Sequence, residues 1–169
     1  RARRPGGARR LMAGVDALVD AFQAAFAGRD RYAFAGCCAP DVHYEDPVSG
    51  GPLVGLDALA GHAARMWAAF PDAAVETAGA RLTDGRFVAA PVRVTGTHRG
   101  EVARLPATNR AIALHAVLYC ELTPDGEALW RVRAFYDAYA AAVQLGVLPK
   151  AGTIGERALL MLRGFGIRD

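Results

Sequence analysis

The chain has 169 residues, 53% of them apolar and 22% charged. That length suits one domain with an enclosed core, and the apolar share excludes bulk disorder. Five arginines among the first ten residues outweigh the formal net charge of +3, so the rest of the chain is mildly acidic. A globally basic surface for nucleic acid is therefore not indicated, and no apolar run reaches the roughly 18–20 residues of a membrane span.

Residues 1–10 are rich in Arg, Gly and Pro and are expected to be a disordered tail. The pair Arg9-Arg10 invites a comparison with a twin-arginine signal. However, Asp16, Asp20 and Gln23 interrupt the segment that follows, where an amphipathic helix needs polar positions. Leu11, Val15, Leu18, Val19, Phe22 and Phe26 recur at spacings of three and four, which predicts a helix ending at Gly28. Asp30 is placed to cap a second short helix reaching toward Pro40. Val42 to Asp46 reads as a strand closed by Pro47, followed by a Gly- and Pro-rich loop to Gly55. A third helix starts near Asp57, carries Leu59, His62, Met66, Trp67 and Phe70, and ends at Pro71-Asp72.

The period then changes to two. Strands are expected over residues 75–82, 87–100, 111–122 and 129–136, with turns at Thr83-Asp84-Gly85 and at Thr123 to Gly126. From about Tyr139 the chain turns helical, with a last amphipathic stretch from Ile154 to Leu162. The expected organisation is a tail over 1–10, a domain over 11–149 and a C-terminal amphipathic extension over 150–169. Helices segregated against an antiparallel sheet define an α+β fold, and a curved sheet over helices leaves a pocket for a small molecule.

Three cysteines, two of them the neighbours Cys37 and Cys38, occur without a CxxC. Adjacent cysteines bridge only with strain, so the reading is a reducing, cytoplasmic setting. No Walker loop, dinucleotide fingerprint, HExxH or GxSxG is present, so neither a metal nor another cofactor is expected.

The order of elements resembles the NTF2-like superfamily, whose fold is a cone-shaped α+β barrel with a curved antiparallel sheet packed on N-terminal helices. Three stretches sharpen the resemblance toward its SnoaL-like polyketide cyclases, also called ester cyclases. They are Met66-Trp67-Ala68-Ala69-Phe70-Pro71-Asp72, Gly96-Thr97-His98-Arg99-Gly100, and Phe135-Tyr136-Asp137 followed by Gln144-Leu145-Gly146. The chain departs at Leu105 to Arg110, where Asn109 stands in place of the usual Gly. Asn tolerates the left-handed conformation that such a turn requires.

The resemblance implies a cofactor-independent cyclase of polyketide natural-product biosynthesis, cytoplasmic and homodimeric, with an acid/base aspartate that drives an aldol-type closure. It maps that aspartate to Asp137. Apolar neighbours would raise the pKa of such a carboxyl toward the useful range, whereas the structural alternative for Asp137 is a helix cap. His115 and His98 are the candidate partners for proton transfer. Arg133, four residues before Asp137, is a departure from the family's usual aromatic and is either a ligand contact or a solvated residue. Tyr44, Trp67, Phe70, Tyr119, Phe135 and Tyr136 are candidate walls for a flat or polyene substrate. Asp46, before Pro47, reads as a turn former rather than a second acid/base.

Two other kinds of chemistry stay open, epoxide opening and pericyclic closure. The Arg-x-Asp pair of related epoxide hydrolases is absent from the long strand. A non-catalytic ligand-binding or dimerisation module is the remaining alternative, since this fold hosts many functions.

Overall fold

A computed structural model describes the backbone of residues 5–162 and the side chains of residues 14–161. The first helix, α1, spans Pro5–Gly28. It takes in residues 5–10 of the expected tail, with Pro5 at a first-turn position that needs no N–H. Residues 1–4 of that tail, and 163–169 of the C-terminal extension, lie outside the described residues. Val15, Val19, Phe22 and Ala25 form the buried face of α1, as the three- and four-residue spacing requires.

The expected second helix is only a 3-10 turn at Ala33–Gly36, and strand β1 begins early, spanning Cys38–Glu45. Pro40, expected near the end of that helix, instead lies within β1. It is accommodated because the pairing of β1 shifts register between Cys38 and His43, the kind of irregularity in which proline's missing donor is tolerated. A two-residue strand, β2 (Leu53–Val54), then pairs with β1, and α2 follows over Leu56–Ala69. Leu59, His62 and Ala63 are buried on the inner side of α2. The Trp67 indole donates to the Phe26 carbonyl at 3.0 Å, satisfying an acceptor left free near the end of α1.

The expected strand over 75–82 is broken into β3 (Ala74–Thr77) and β4 (Leu82–Thr83). The long strands β5 (Phe87–Thr97), β6 (Ala111–Leu122) and β7 (Leu129–Tyr136) form the meander, and α3 (Ala138–Gln144) and α4 (Ile154–Leu162) follow. The sheet order is β2-β1-β7-β6-β5-β3, with β4 also paired to β5. β1 runs parallel to β7, so the sheet is mixed rather than wholly antiparallel. The long connection through α2 and the meander is what allows two parallel neighbours. The result is an α+β fold in which helices lie against a curved, unclosed sheet.

Strand alternation sets the two faces. On β6, Leu114, Ala116, Leu118 and Cys120 are buried, while His115, Val117 and Tyr119 face out. Tyr119 pairs with Arg133 and Val117 with Phe135 across β6 and β7.

The family-like stretches act largely as joints. Gly96 lies against Phe70 and Ala73, and a Cβ there would stand 3.3 Å from the Ala73 Cα. The N–H groups of Arg99 and Gly100 both donate to the Ala69 carbonyl, closing the end of α2. Asn109 has φ +57°, the left-handed turn conformation expected of it. Gln144 clamps α3 to β6, donating to the Ala113 carbonyl at 3.1 Å and accepting from the Ala113 N–H at 2.7 Å.

Candidate active site

Between the inner face of the sheet and helices α1 and α2 lies a cavity of about 190 Å³, with Ala141 of α3 and Leu145 just after it forming part of its wall. Most of the wall is aliphatic or aromatic. Its polar side chains are Gln23, Tyr44, Asp46, Thr95 and Tyr136, together with the already bonded indole of Trp67. Among the described residues lining it, Asp46 is the one charged group.

Asp46 sits just past the end of β1, where Tyr44 has turned inward. Its Oδ1 accepts from the Val48 N–H at 2.9 Å, and its backbone N–H and carbonyl both engage the Ser49 hydroxyl. This is the turn-forming role expected of it. The other oxygen does something further. Oδ2 accepts from the Tyr44 hydroxyl at 3.0 Å and lies 2.8 Å from His62 Nε2. The Asp46 and His62 side chains are only 6% and 3% exposed. Helix α2 places His62 on its buried face, one turn beyond Leu59.

Burial pushes the Asp46 carboxyl upward. The hydrogen bond and charge of His62, the Val48 N–H and the Tyr44 hydroxyl together outweigh it and hold Asp46 below the usual carboxylate range. It is therefore an anion at neutral pH, held in a fixed orientation. Burial, and then the Asp46 charge, push the Tyr44 and Tyr136 hydroxyls above their ordinary values, so both remain proton donors. The arrangement can take a proton from an acidic carbon and offer a hydroxyl to a developing oxyanion. His62 also lines an outer hollow of about 200 Å³ that shares Val48, Met66 and Val102 with the cavity.

Of the sequence-based candidates, Tyr44, Trp67, Phe70 and Tyr136 line the cavity. The others lie elsewhere. Asp137 is exposed and caps α3, its Oδ1 accepting from the Ala140 N–H at 2.9 Å. Tyr136 is the inward residue at the end of β7, so its neighbours Phe135 and Asp137 point away. His115, Tyr119 and Phe135 face outward on the sheet, and the Arg133 guanidinium pairs with Glu45 at 3.1 Å, both side chains being about 40% exposed.

His98 is fully buried but lies outside the cavity wall, packed against Phe70 with ring centroids 5.1 Å apart. Its Nδ1 accepts from the Thr108 N–H at 3.2 Å, which orders the turn after β5. Burial pushes its ionisation below the ordinary histidine value.

Sequence reasoning missed the pairing of Asp46 with His62, and also Gln23. The available signal for His62 was a histidine on an otherwise apolar helix face, whereas Gln23, expected among the polar positions of α1, is buried instead. Among the described residues no cluster of three or more His, Cys, Asp or Glu could hold a metal, and no helix is long and apolar enough to cross a membrane.

His62 gives a direct test of this geometry. His62→Leu removes the bond that opposes burial, so the Asp46 pKa should rise. The acid limb of any Asp46-dependent reaction should move to higher pH, read from a pH–rate profile. In the wild type that limb belongs below the usual carboxylate range, because the net shift of Asp46 is downward. An unmoved limb in His62→Leu would show that His62 does not tune Asp46.

A curved sheet folded over helices around an interior cavity defines the NTF2-like class. The sequence profile of the SnoaL-like polyketide cyclases matches residues 16–145, and the chain belongs to that family. Among solved structures, it is similar to a protein from Jannaschia sp. CCS1 that carries the provisional name SnoaL-like polyketide cyclase. The identity is 18%, 88% of this chain and 99% of that one are covered, and the TM-score is 0.73. TsrD from Streptomyces laurentii is similar at 20% identity over 80% and 97% of the two chains, with a TM-score of 0.70. AclR from Streptomyces galilaeus, provisionally a hydroxylase, is 21% identical over 91% and 94%, with a TM-score of 0.69. These likenesses establish the fold. No curated protein matches the sequence.

Proposed function

We propose that the protein is a ring-closing enzyme for a polyketide-derived small molecule, with Asp46 as the proton acceptor. The supporting observation is the one carboxylate among the described residues of a largely apolar cavity wall, buried and oriented by Tyr44, His62 and Val48. Asp46 takes a proton from a carbon next to a carbonyl, and the electron pair delocalises onto that carbonyl oxygen. The enolate carbon then bonds to a second carbonyl carbon of the same molecule, whose π pair becomes an alkoxide. The Asp46 proton returns to that oxygen, so the net reaction is an isomerisation. The Tyr136 hydroxyl stabilises the developing negative charge, and the apolar wall holds a flexible chain in the reactive conformer.

The test is deuterium uptake from D₂O at the acidic carbon of an aromatic β-keto ester, followed by NMR. The wild type should accelerate exchange and Asp46→Asn should not. A second reading, pericyclic closure by shape alone, is favoured by how little of the wall is polar. It would be supported if Asp46→Asn kept full ring-closing activity on a polyene substrate.

Self-association through the outer face of the sheet belongs to the same reading. Val117, Tyr119 and Phe135 are 38%, 37% and 55% exposed there, with Tyr119 stacked on Phe87. A contiguous exposed apolar patch of this kind favours an interface. Sedimentation should give a dimer for the wild type and a monomer for the double variant Tyr119→Asp, Phe135→Asp. A wild type that sediments as a monomer would remove this part of the proposal.

A further inference from the structure

We propose that Gln23 selects the ligand, its side-chain amide donating a hydrogen bond to a ketone or ester carbonyl oxygen of the molecule in the cavity. The inference rests on the reading of the cavity as the substrate site, but not on the identity of the base. Gln23 lies on α1 beside Phe22, on the face that also carries the buried Val15 and Val19. It is 8% exposed and lines the cavity. The Thr77 hydroxyl, from β3, donates to its Oε1 at 3.4 Å. Its Nε2 is buried and has no hydrogen-bond partner among the described residues.

A buried amide donor that no protein group satisfies carries a cost unless something in the cavity accepts from it. A leucine or methionine at this position would continue the apolar face without that penalty. That cost is removed when the amide turns its Nε2 toward the cavity and a ligand oxygen accepts from it. The partner's chemistry follows from the surroundings. A neutral N–H donor needs an acceptor, and the Asp46 carboxylate on the same wall disfavours an anionic one. A neutral carbonyl on an apolar skeleton meets both conditions. Because bonding to that oxygen draws electrons from the adjacent carbon, it also acidifies the C–H that a base must remove.

Two bicyclic probes separate the possibilities, 1-tetralone with its ring carbonyl and tetralin without it. Their affinities are to be measured by NMR titration of the wild type and of Gln23→Leu and Gln23→Met. The wild type should bind 1-tetralone about tenfold tighter than tetralin, the scale expected of one buried hydrogen bond. Both variants should bind the two probes alike, retain the affinity for tetralin, and melt at a higher temperature than the wild type when unliganded. A preference that survives in the variants would overturn the proposal, as would a wild type with no preference or variants that melt lower. Failure of the wild type to bind either probe would overturn the cavity reading as well. Asp46→Asn should keep the preference while losing deuterium exchange, so failure of the base assignment and failure of the Gln23 proposal are read separately.

Discussion

Asp46→Asn should slow deuterium exchange into a β-keto ester by about 10², the lower end of the usual contribution of a positioned general base, because a carboxylate held below the usual range is a weak proton acceptor. The substitution keeps the side-chain shape. An amide oxygen can still accept from Val48 or Tyr44, so the turn and the cavity wall should persist. What is lost is the negative charge and the capacity to take up a proton. The informative control is Asp137→Asn. Asp137 caps α3 through a single bond to the Ala140 N–H, and asparagine is about as good an N-cap as aspartate. That variant should keep both its stability and its exchange rate. The opposite pattern, with exchange lost in Asp137→Asn and kept in Asp46→Asn, would return the chemistry to the end of β7.

Gly100→Ala should be the most damaging single-methyl change in the described chain. A Cβ at this position would stand 2.3 Å from the Ala68 carbonyl oxygen and 2.9 Å from its carbon. Both are backbone atoms, so no side chain can swing aside. The strand end and the end of α2 must separate, breaking the paired bonds from the Arg99 and Gly100 N–H groups to the Ala69 carbonyl. A loss of about 3 kcal/mol, at the upper end for overpacking, is expected. For a chain of this size that lowers the melting temperature by roughly 6–12 °C. Gly36→Ala is the control, since nothing lies within 4 Å of its Cβ position and its φ is not positive. It should melt within a degree or two of the wild type. Equal melting of Gly100→Ala and Gly36→Ala would contradict the close approach of strand and helix.

The fold was readable where one signal dominated. Three- and four-residue spacing located α1 and α2, and the turn chemistry at Asp84-Gly85 and Asp125-Gly126 located the ends of β5, β6 and β7. It was less readable around Pro40, expected to end a short helix but placed inside β1, where a shift in the pairing with β7 accommodates it. The aromatic part of the site was legible because Tyr44, Trp67 and Phe70 sit on faces that also carry core residues.

The polar part was not legible, for two reasons. On β6 both parities are partly apolar, with Val117 and Tyr119 on one face and Leu114 and Leu118 on the other, so alternation alone did not say which face was inside. At the end of β7, Phe135 and Tyr136 both precede Asp137 and suggested an apolar setting for it. Only one of the two aromatics points inward, and Asp137 shares the other's direction. The approach of His62 to Asp46 is a tertiary contact between a helix and a strand end that no local pattern encodes.

The parallel pairing of β1 with β7 also governs when the site comes into being. Tyr44 and Asp46 arrive with the first strand and Tyr136 with the last, and Tyr44 stands beside Val132 only after everything between them has been threaded into place. Such distant partners are slow to find one another because a long stretch must close before the contact rewards it. On the ribosome, the growing chain therefore carries its carboxylate without the far side of the chamber until synthesis has passed the final strand. Any competence for proton transfer is therefore acquired late.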